Sequence, residues 1–315
     1  MGRTFFWTIL ILVFFPLAGR AQIIDTSTEI QTGFDTGTLS PMVLSATESP
    51  DNVSVTTAGA PGALAAAAGG MDYITSFWSE AGWEESEVRD HKGAEIKSPL
   101  NFTKEGWEGF DIYVPSNGYP TDKVATIAQI FDNAIDDDAS WGAMLMIQNN
   151  SFRILYRGNE VAPTAGANGL WGSLVDGTVT RDSWVPIVIH FVVSREDEGE
   201  LQVWIGGAAQ NDPTFSVTGI DLGYGGTGTD GWDTATDSLD ADAGINLHLG
   251  QYDWDTANYT TGETRTLYFD SITQLVGGGS AGFDIVDPVP EPACAAMGLA
   301  GCWLLAVRRR GLGAR

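Results

Sequence analysis

Trp184-Val185-Pro186-Ile187-Val188-Ile189-His190-Phe191-Val192-Val193 is an almost wholly apolar run, broken by Ser194-Arg195-Glu196-Asp197-Glu198-Gly199. Leu201-Gln202-Val203-Trp204-Ile205 follows and ends on Gly206-Gly207. A β-branched run bounded by turn residues reads as a strand, and its lack of a polar side predicts cover on both faces. The acidic turn makes the two runs a hairpin. Similar short runs flank it on both sides. Upstream lie Gly109–Val114, Val124–Phe131, Gly142–Gln148 and, after Asn149-Asn150, Phe152–Tyr156; downstream lie Ile245–Tyr252 and Thr264–Thr273. Ala65–Ala68 sits between Gly-rich breakers and reads as loop rather than helix. No repeat and no helix-length periodicity interrupts this pattern, so the region reads as one all-β domain.

Composition agrees. The 315 residues include 39 Gly and 11 Trp, which suits a β protein and not a helical bundle. With 43% hydrophobic residues the chain can build a core, which excludes wholesale disorder. A formal charge of −25 excludes a nucleic-acid binder, because phosphate recognition needs clustered Lys and Arg.

The two ends read as addresses. Arg3 precedes the apolar run Phe5–Leu17, and small residues Gly19 and Ala21 stand just before a cut ahead of Gln22, as in a secretory signal peptide. At the other end come Val289-Pro290-Glu291-Pro292, the apolar stretch Ala293–Val307 and then Arg308-Arg309-Arg310. The prolines mark a hinge, and the arginines would stay on the cytoplasmic side of a membrane helix. This three-part arrangement resembles the PEP-CTERM sorting signal that exosortases process in Gram-negative bacteria. It implies an exosortase partner, transient anchoring in the inner membrane, and delivery to the cell surface or extracellular matrix. Both cysteines, Cys294 and Cys302, fall in that segment, so the exported domain is expected to lack disulfides. The expected organisation is a signal peptide over 1–21, a β-domain over 22–276, a linker over 277–288 and a sorting segment over 289–315.

Between Gly33 and Thr273 the pieces resemble, in order, the jelly-roll polysaccharide lyases of the heparin lyase and alginate lyase type. They are Phe34-Asp35-Thr36-Gly37, Ala94-Glu95-Ile96-Lys97, Gly109–Pro115, Ile127-Ala128-Gln129-Ile130-Phe131, the hairpin Trp184–Trp204, His248-Leu249-Gly250-Gln251-Tyr252 and Leu267-Tyr268-Phe269-Asp270. The resemblance implies a concanavalin A-like β-jelly roll, a sandwich of two antiparallel sheets with a cleft across the concave one. It also implies β-elimination of an acidic extracellular polysaccharide. That chemistry needs a group to quiet the uronate carboxylate, a base for the C5 proton and an acid for the leaving oxygen. Gln129 matches the first role and Tyr252 the acid–base role. His248 is expected to lower the tyrosine pKa as an imidazolium or to assist the proton transfer. Glu95, Lys97, Arg153, Arg157 and His190 are the expected substrate contacts, with Lys97 and the two arginines supplying local positive charge. Strand parity puts Gln129 with Phe131 on one face, and His248 with Tyr252 on one face.

There are departures from the pattern. The family often has His where Phe131 stands and Lys where His248 stands, and its Arg before Glu95 is absent. A non-catalytic carbohydrate-binding or matrix protein of the same fold is therefore the second reading. First and last strands pair in jelly rolls, so Asp35 and Asp270 are expected to share a structural calcium. No organic cofactor is expected, and the three histidines lack zinc-like spacing. Trp141, Trp171, Trp232 and Trp254 lie in or beside Gly- and Asp-rich loops, where aromatic faces could stack on sugar rings.

Overall fold

The computed structural model describes residues 24–25, 28–34, 36–47, 52–57, 64, 72–80, 93–132, 140–157, 170–174, 178–194, 198–222, 232–233, 238–239, 244–253 and 260–288. In chain order the strands begin with β1 (Ile24–Asp25), β2 (Glu29–Thr32), β3 (Val43–Thr47), β4 (Asn52–Thr56), β5 (Tyr73–Ser79) and β6 (Gly93–Lys97). Next come β7 (Glu105–Tyr113), β8 (Val124–Asp132), β9 (Ser140–Gln148), β10 (Ser151–Arg157), β11 (Leu170–Leu174) and β12 (Trp184–Val192). The last are β13 (Gly199–Ile205), β14 (Phe215–Ile220), β15 (Trp232–Asp233), β16 (Ser238–Leu239), β17 (Ile245–Tyr252) and β18 (Thr264–Val276). A short helix, α1 (Gly282–Val286), ends the described region.

Two antiparallel sheets carry the domain. The nine-stranded sheet runs β1-β2-β18-β7-β12-β13-β14, with β5 also on β18 and β4 on β5; the seven-stranded sheet runs β11-β10-β9-β8-β17-β6-β3. The expected hairpin is β12–β13, paired from Ile187↔Ile205 to Val192↔Glu200. Alternation explains the sandwich: Phe110, Ile112, Ile187, Ile189, Leu267 and Phe269 from one sheet meet Ile96, Ile127, Leu145, Ile147, Leu247 and Leu249 from the other in one core. Each such fully buried side chain contributes about 1.5–3 kcal/mol.

The apolar character of Trp184–Val192 on both sides has its reason here. Ile187 and Ile189 face the core, while Val188 packs outward with Trp107, Trp204, Leu275, Phe283 and Val286. The last two belong to α1, so residues within the stretch expected as linker form a helix that covers the sheet. Gly109 permits that cover, because a Cβ there would lie 1.8 Å from the Val286 carbonyl oxygen. Among the described residues no helix is long and apolar enough to cross a membrane. The signal segment over 1–21 and the sorting segment over 289–315 lie outside the described residues.

Candidate active site

Three cross-strand rows line the face of the seven-stranded sheet that is turned away from the core. One row runs Leu155–Met144–Gln129–His248–Lys97–Val43, each residue the Cα partner of the next. A second runs Arg153–Met146–Thr126–Tyr252–Gly93. A third joins Asn246, Phe131 and Trp141. Directly opposed residues of an antiparallel pair share a face, with Cβ atoms roughly 4.5–5.5 Å apart. Gln129, His248 and Lys97 therefore form one contiguous patch drawn from β8, β17 and β6. Tyr252 shares the face but sits in the next row.

Glu95 completes the patch. Gln129 Nε2–H donates to Glu95 Oε1 at 2.6 Å, although β17 runs between their strands. The residue of β17 opposite Glu95 is Gly250, which carries no side chain to block the contact. Gly250 has φ +142°, and a Cβ there would lie 2.2 Å from the Ala94 carbonyl oxygen. It also falls within the β-bulge that shifts β17 against β8 between Leu249 and Tyr252. Bulges of this kind re-aim side chains next to active sites. Glu95 is only 2% exposed, and burial pushes its carboxyl up to about 7. The Gln129 hydrogen bond opposes that rise and the Asp253 charge adds to it.

His248 is neutral at neutral pH. Burial pushes its imidazole down to about 4, and the Lys97 charge adds to the effect. This overturns the expected imidazolium; the positive charge in the row belongs to Lys97 instead. The ring stacks on Phe131 with centroids 4.9 Å apart, and its Nδ1 lies 3.2 Å from Ser45 Oγ.

Tyr252 is fixed by its two neighbours. Gln251 points to the opposite side of β17, where its Nε2–H donates to the Ser76 carbonyl at 2.6 Å. Asp253 is fully buried and accepts from Arg265 Nη1. Arg265 also donates to Glu263 Oε1 at 2.7 Å and to the Val124 carbonyl at 2.9 Å, and lies over the Trp78 ring. This buried ion network closes one end of the sandwich, and a half-broken one would leave a charge uncompensated.

The expected substrate contacts divide. Lys97 and Glu95 lie in the patch. Arg153 and Arg157 lie on β10, two strands from Gln129; Arg153 donates to Gln148, and Arg157 stands 3.9 Å over the Trp141 ring. His190 does not join them. It belongs to β12 of the other sheet, on that sheet's outer side, stacked on Trp107 at 3.9 Å with Nε2 3.1 Å from Glu105 Oε1. Burial lowers its pKa despite Glu105. An apolar strand announces burial but not which sheet it enters, so the sequence alone does not place His190. Asp270 is buried on β18 opposite Asp111, and its Oδ1 accepts from the Ser271 N–H at 2.7 Å. Asp35 lies outside the described residues, as do the Trp254 position and most of the acidic stretch near it. Among the described residues no three His, Cys, Asp or Glu cluster as metal ligands.

Ser45 joins the patch without any signal in the sequence. It is the bulged residue of β3, since Leu44 opposes Ile96 while Ala46 opposes Glu95. Nothing in the local sequence marks such an irregularity on an edge strand.

A solved structure of an endo-β-1,4-glucuronan lyase from the fungus Trichoderma reesei has a similar fold, at 16% identity and a TM-score of 0.57, over 81% of this chain and 97% of that one. An alginate lyase from Pseudomonas aeruginosa is also similar, at 15% identity and a TM-score of 0.42, over 65% of this chain and 83% of that one. No curated protein matches by sequence. The polysaccharide lyase family model matches residues 34–273, a span that holds the seven-stranded sheet, all three rows, and the nine-stranded sheet apart from β1, β2 and the end of β18. The chain belongs to the polysaccharide lyase family.

Proposed function

We propose that this face cleaves an acidic polysaccharide by β-elimination. The observation that carries the reading is the juxtaposition of Gln129, His248 and Lys97 in one row with Tyr252 beside it. In the reaction the C5 proton leaves to a base and the C4–O bond breaks. A C4–C5 double bond forms, and the departing oxygen takes a proton. Gln129 and neutral His248 offer N–H donors to the uronate carboxylate, which acidifies the C5 proton; Tyr252 moves the protons. Neutral imidazole suits the donor role, since a histidine of depressed pKa polarises an oxygen without carrying charge. Lys97 supplies the local positive charge that a chain of formal charge −25 needs in order to hold a polyanion.

The test is turnover on a panel of alginate, glucuronan and heparin-like polymers, read as the ultraviolet absorbance of the unsaturated uronate. A rise on one of them is the expected result. Retention of a polymer with no rise on any would favour a glycan-binding protein of the same fold and overturn this reading.

Export through residues 1–21 and exosortase sorting through Val289–Pro292 and Arg308–Arg310 belong to the same proposal. Mass spectrometry of the mature protein should lack Ala293–Arg315; recovering that segment intact from the envelope would contradict the sorting step. A calcium held by Asp35 and Asp270 is also proposed. A ligand that binds only the folded state stabilises it, so chelation should lower the melting temperature; an unchanged melting curve would remove this ion.

A further inference from the structure

We infer that Ser45 is a positioning residue that holds His248 in the tautomer with its proton on Nε2, leaving that N–H to face the substrate carboxylate. This inference rests on the β-elimination reading. Its geometric basis is separate.

Ser45 reaches His248 across the whole width of β6, because the sheet order is β17-β6-β3. A regular β3 would give each residue one partner on β6. Here the register shifts between Leu44 and Ala46, so Ser45 is the extra residue, and its hydroxyl oxygen stands 3.2 Å from His248 Nδ1. A bulge on an edge strand that turns one hydroxyl onto one imidazole nitrogen is the kind of irregularity that serves to aim a side chain. Phe131 stacks on the ring at 4.9 Å and limits its tilt. With the plane set by Phe131 and Nδ1 engaged by Ser45, Nε2 is the nitrogen left to the groove.

The direction of the hydrogen bond follows from what must bind. A neutral imidazole has one N–H and one lone pair, and the partner at one nitrogen decides what the other offers. If Nδ1–H donated to Ser45, Nε2 would present a lone pair to a carboxylate, and two acceptors would face each other. If the Ser45 hydroxyl donates to Nδ1, Nε2–H is a donor beside the Gln129 amide. That amide keeps its second N–H free of the bond to Glu95, because a primary amide carries two. The pair then offers two donors to two carboxylate oxygens. Protonating the imidazole would achieve the same, but burial and the Lys97 charge oppose it.

The experiment uses the intact protein with 15N-labelled histidine. Only three imidazoles occur in the chain, His91, His190 and His248, and loss of one ring signal in His248→Asn assigns the third. Long-range 1H–15N correlation at neutral pH should show His248 as the Nε2–H tautomer in the native protein and as a mixture in Ser45→Ala. Ser45→Thr, which keeps the hydroxyl, should restore the native pattern. In parallel, Ser45→Ala should lower kcat/KM by about tenfold, the scale of one hydrogen bond, with an unchanged melting temperature. An Nδ1–H tautomer in the native protein, or the same tautomer in Ser45→Ala, would overturn the inference. Absence of lyase turnover in the native protein would instead overturn the β-elimination reading, and the tautomer measurement would stand without it.

Discussion

Glu95 is the residue whose chemistry depends most on its surroundings. Buried under Gln129, its carboxyl titrates at about 7 rather than near the usual 4.5. Below that value it is a neutral acid beside the proposed site of the substrate carboxylate; above it, a second negative charge would face the proposed polyanion. In the free enzyme kcat/KM should therefore fall as pH rises through about 7, by up to about tenfold per unit. Glu95→Gln should flatten that limb, because an amide does not ionise; a pH profile unchanged by the substitution would contradict the assignment. The same shift works on stability. A carboxyl raised in the folded state contributes most below its unfolded value and loses that contribution as pH rises through about 7. Much of this residue chemistry was out of reach of the sequence. The placement of Gln129 and Tyr252 on one face was legible because their strands resemble the family's. The neutrality of His248 was not, since it depends on burial and on Lys97 opposing it from another strand.

β17 is the element on which the site turns. Its bounds, Ile245–Tyr252, were readable from alternating apolar and polar residues flanked by Gly and Asp. Its bulge was not, although Gly250 is the residue that makes it possible. Gly250 combines a φ of +142° with backbone contacts that leave no room for a Cβ. Gly250→Ala should cost about 1–3 kcal/mol of stability from the backbone conformation, and more if the strands part. Thermal unfolding read together with turnover separates two outcomes. The expected one is a lower melting temperature together with lost activity, as the Glu95–Gln129 bridge over β17 fails. Native stability in Gly250→Ala would mean that the bulge is not under the constraint described here. Local pattern gave Ile245–Tyr252 in full, but β7 starts at Glu105 rather than Gly109 and β18 runs to Val276 rather than Thr273, while the bulges on β3 and β17 arise against partners far along the chain.

At the scale of the whole molecule the two sheets have different work. The nine-stranded sheet spends its outer face on structure, with α1, Trp107, Trp204 and His190 packed together. The seven-stranded sheet keeps Lys97, Tyr252, Phe131 and Trp141 partly exposed on its outer face, and that is where a polymer can lie. The order of strands across a sandwich is set by long-range pairing, so the sequence could announce two-faced burial of Trp184–Val192 without telling which sheet received His190. The buried Arg265–Asp253–Glu263 network ties the sheets at the end nearest Tyr252, the proposed acid–base residue. The central claim is that this face performs β-elimination, and Tyr252→Phe tests it most directly. The substitution removes one hydroxyl and keeps the ring, so polymer binding and the melting temperature should hold. Formation of unsaturated uronate, followed by ultraviolet absorbance, should fall by ~10²-fold or more, the usual scale for a lost acid–base group. Full activity in Tyr252→Phe would contradict the account.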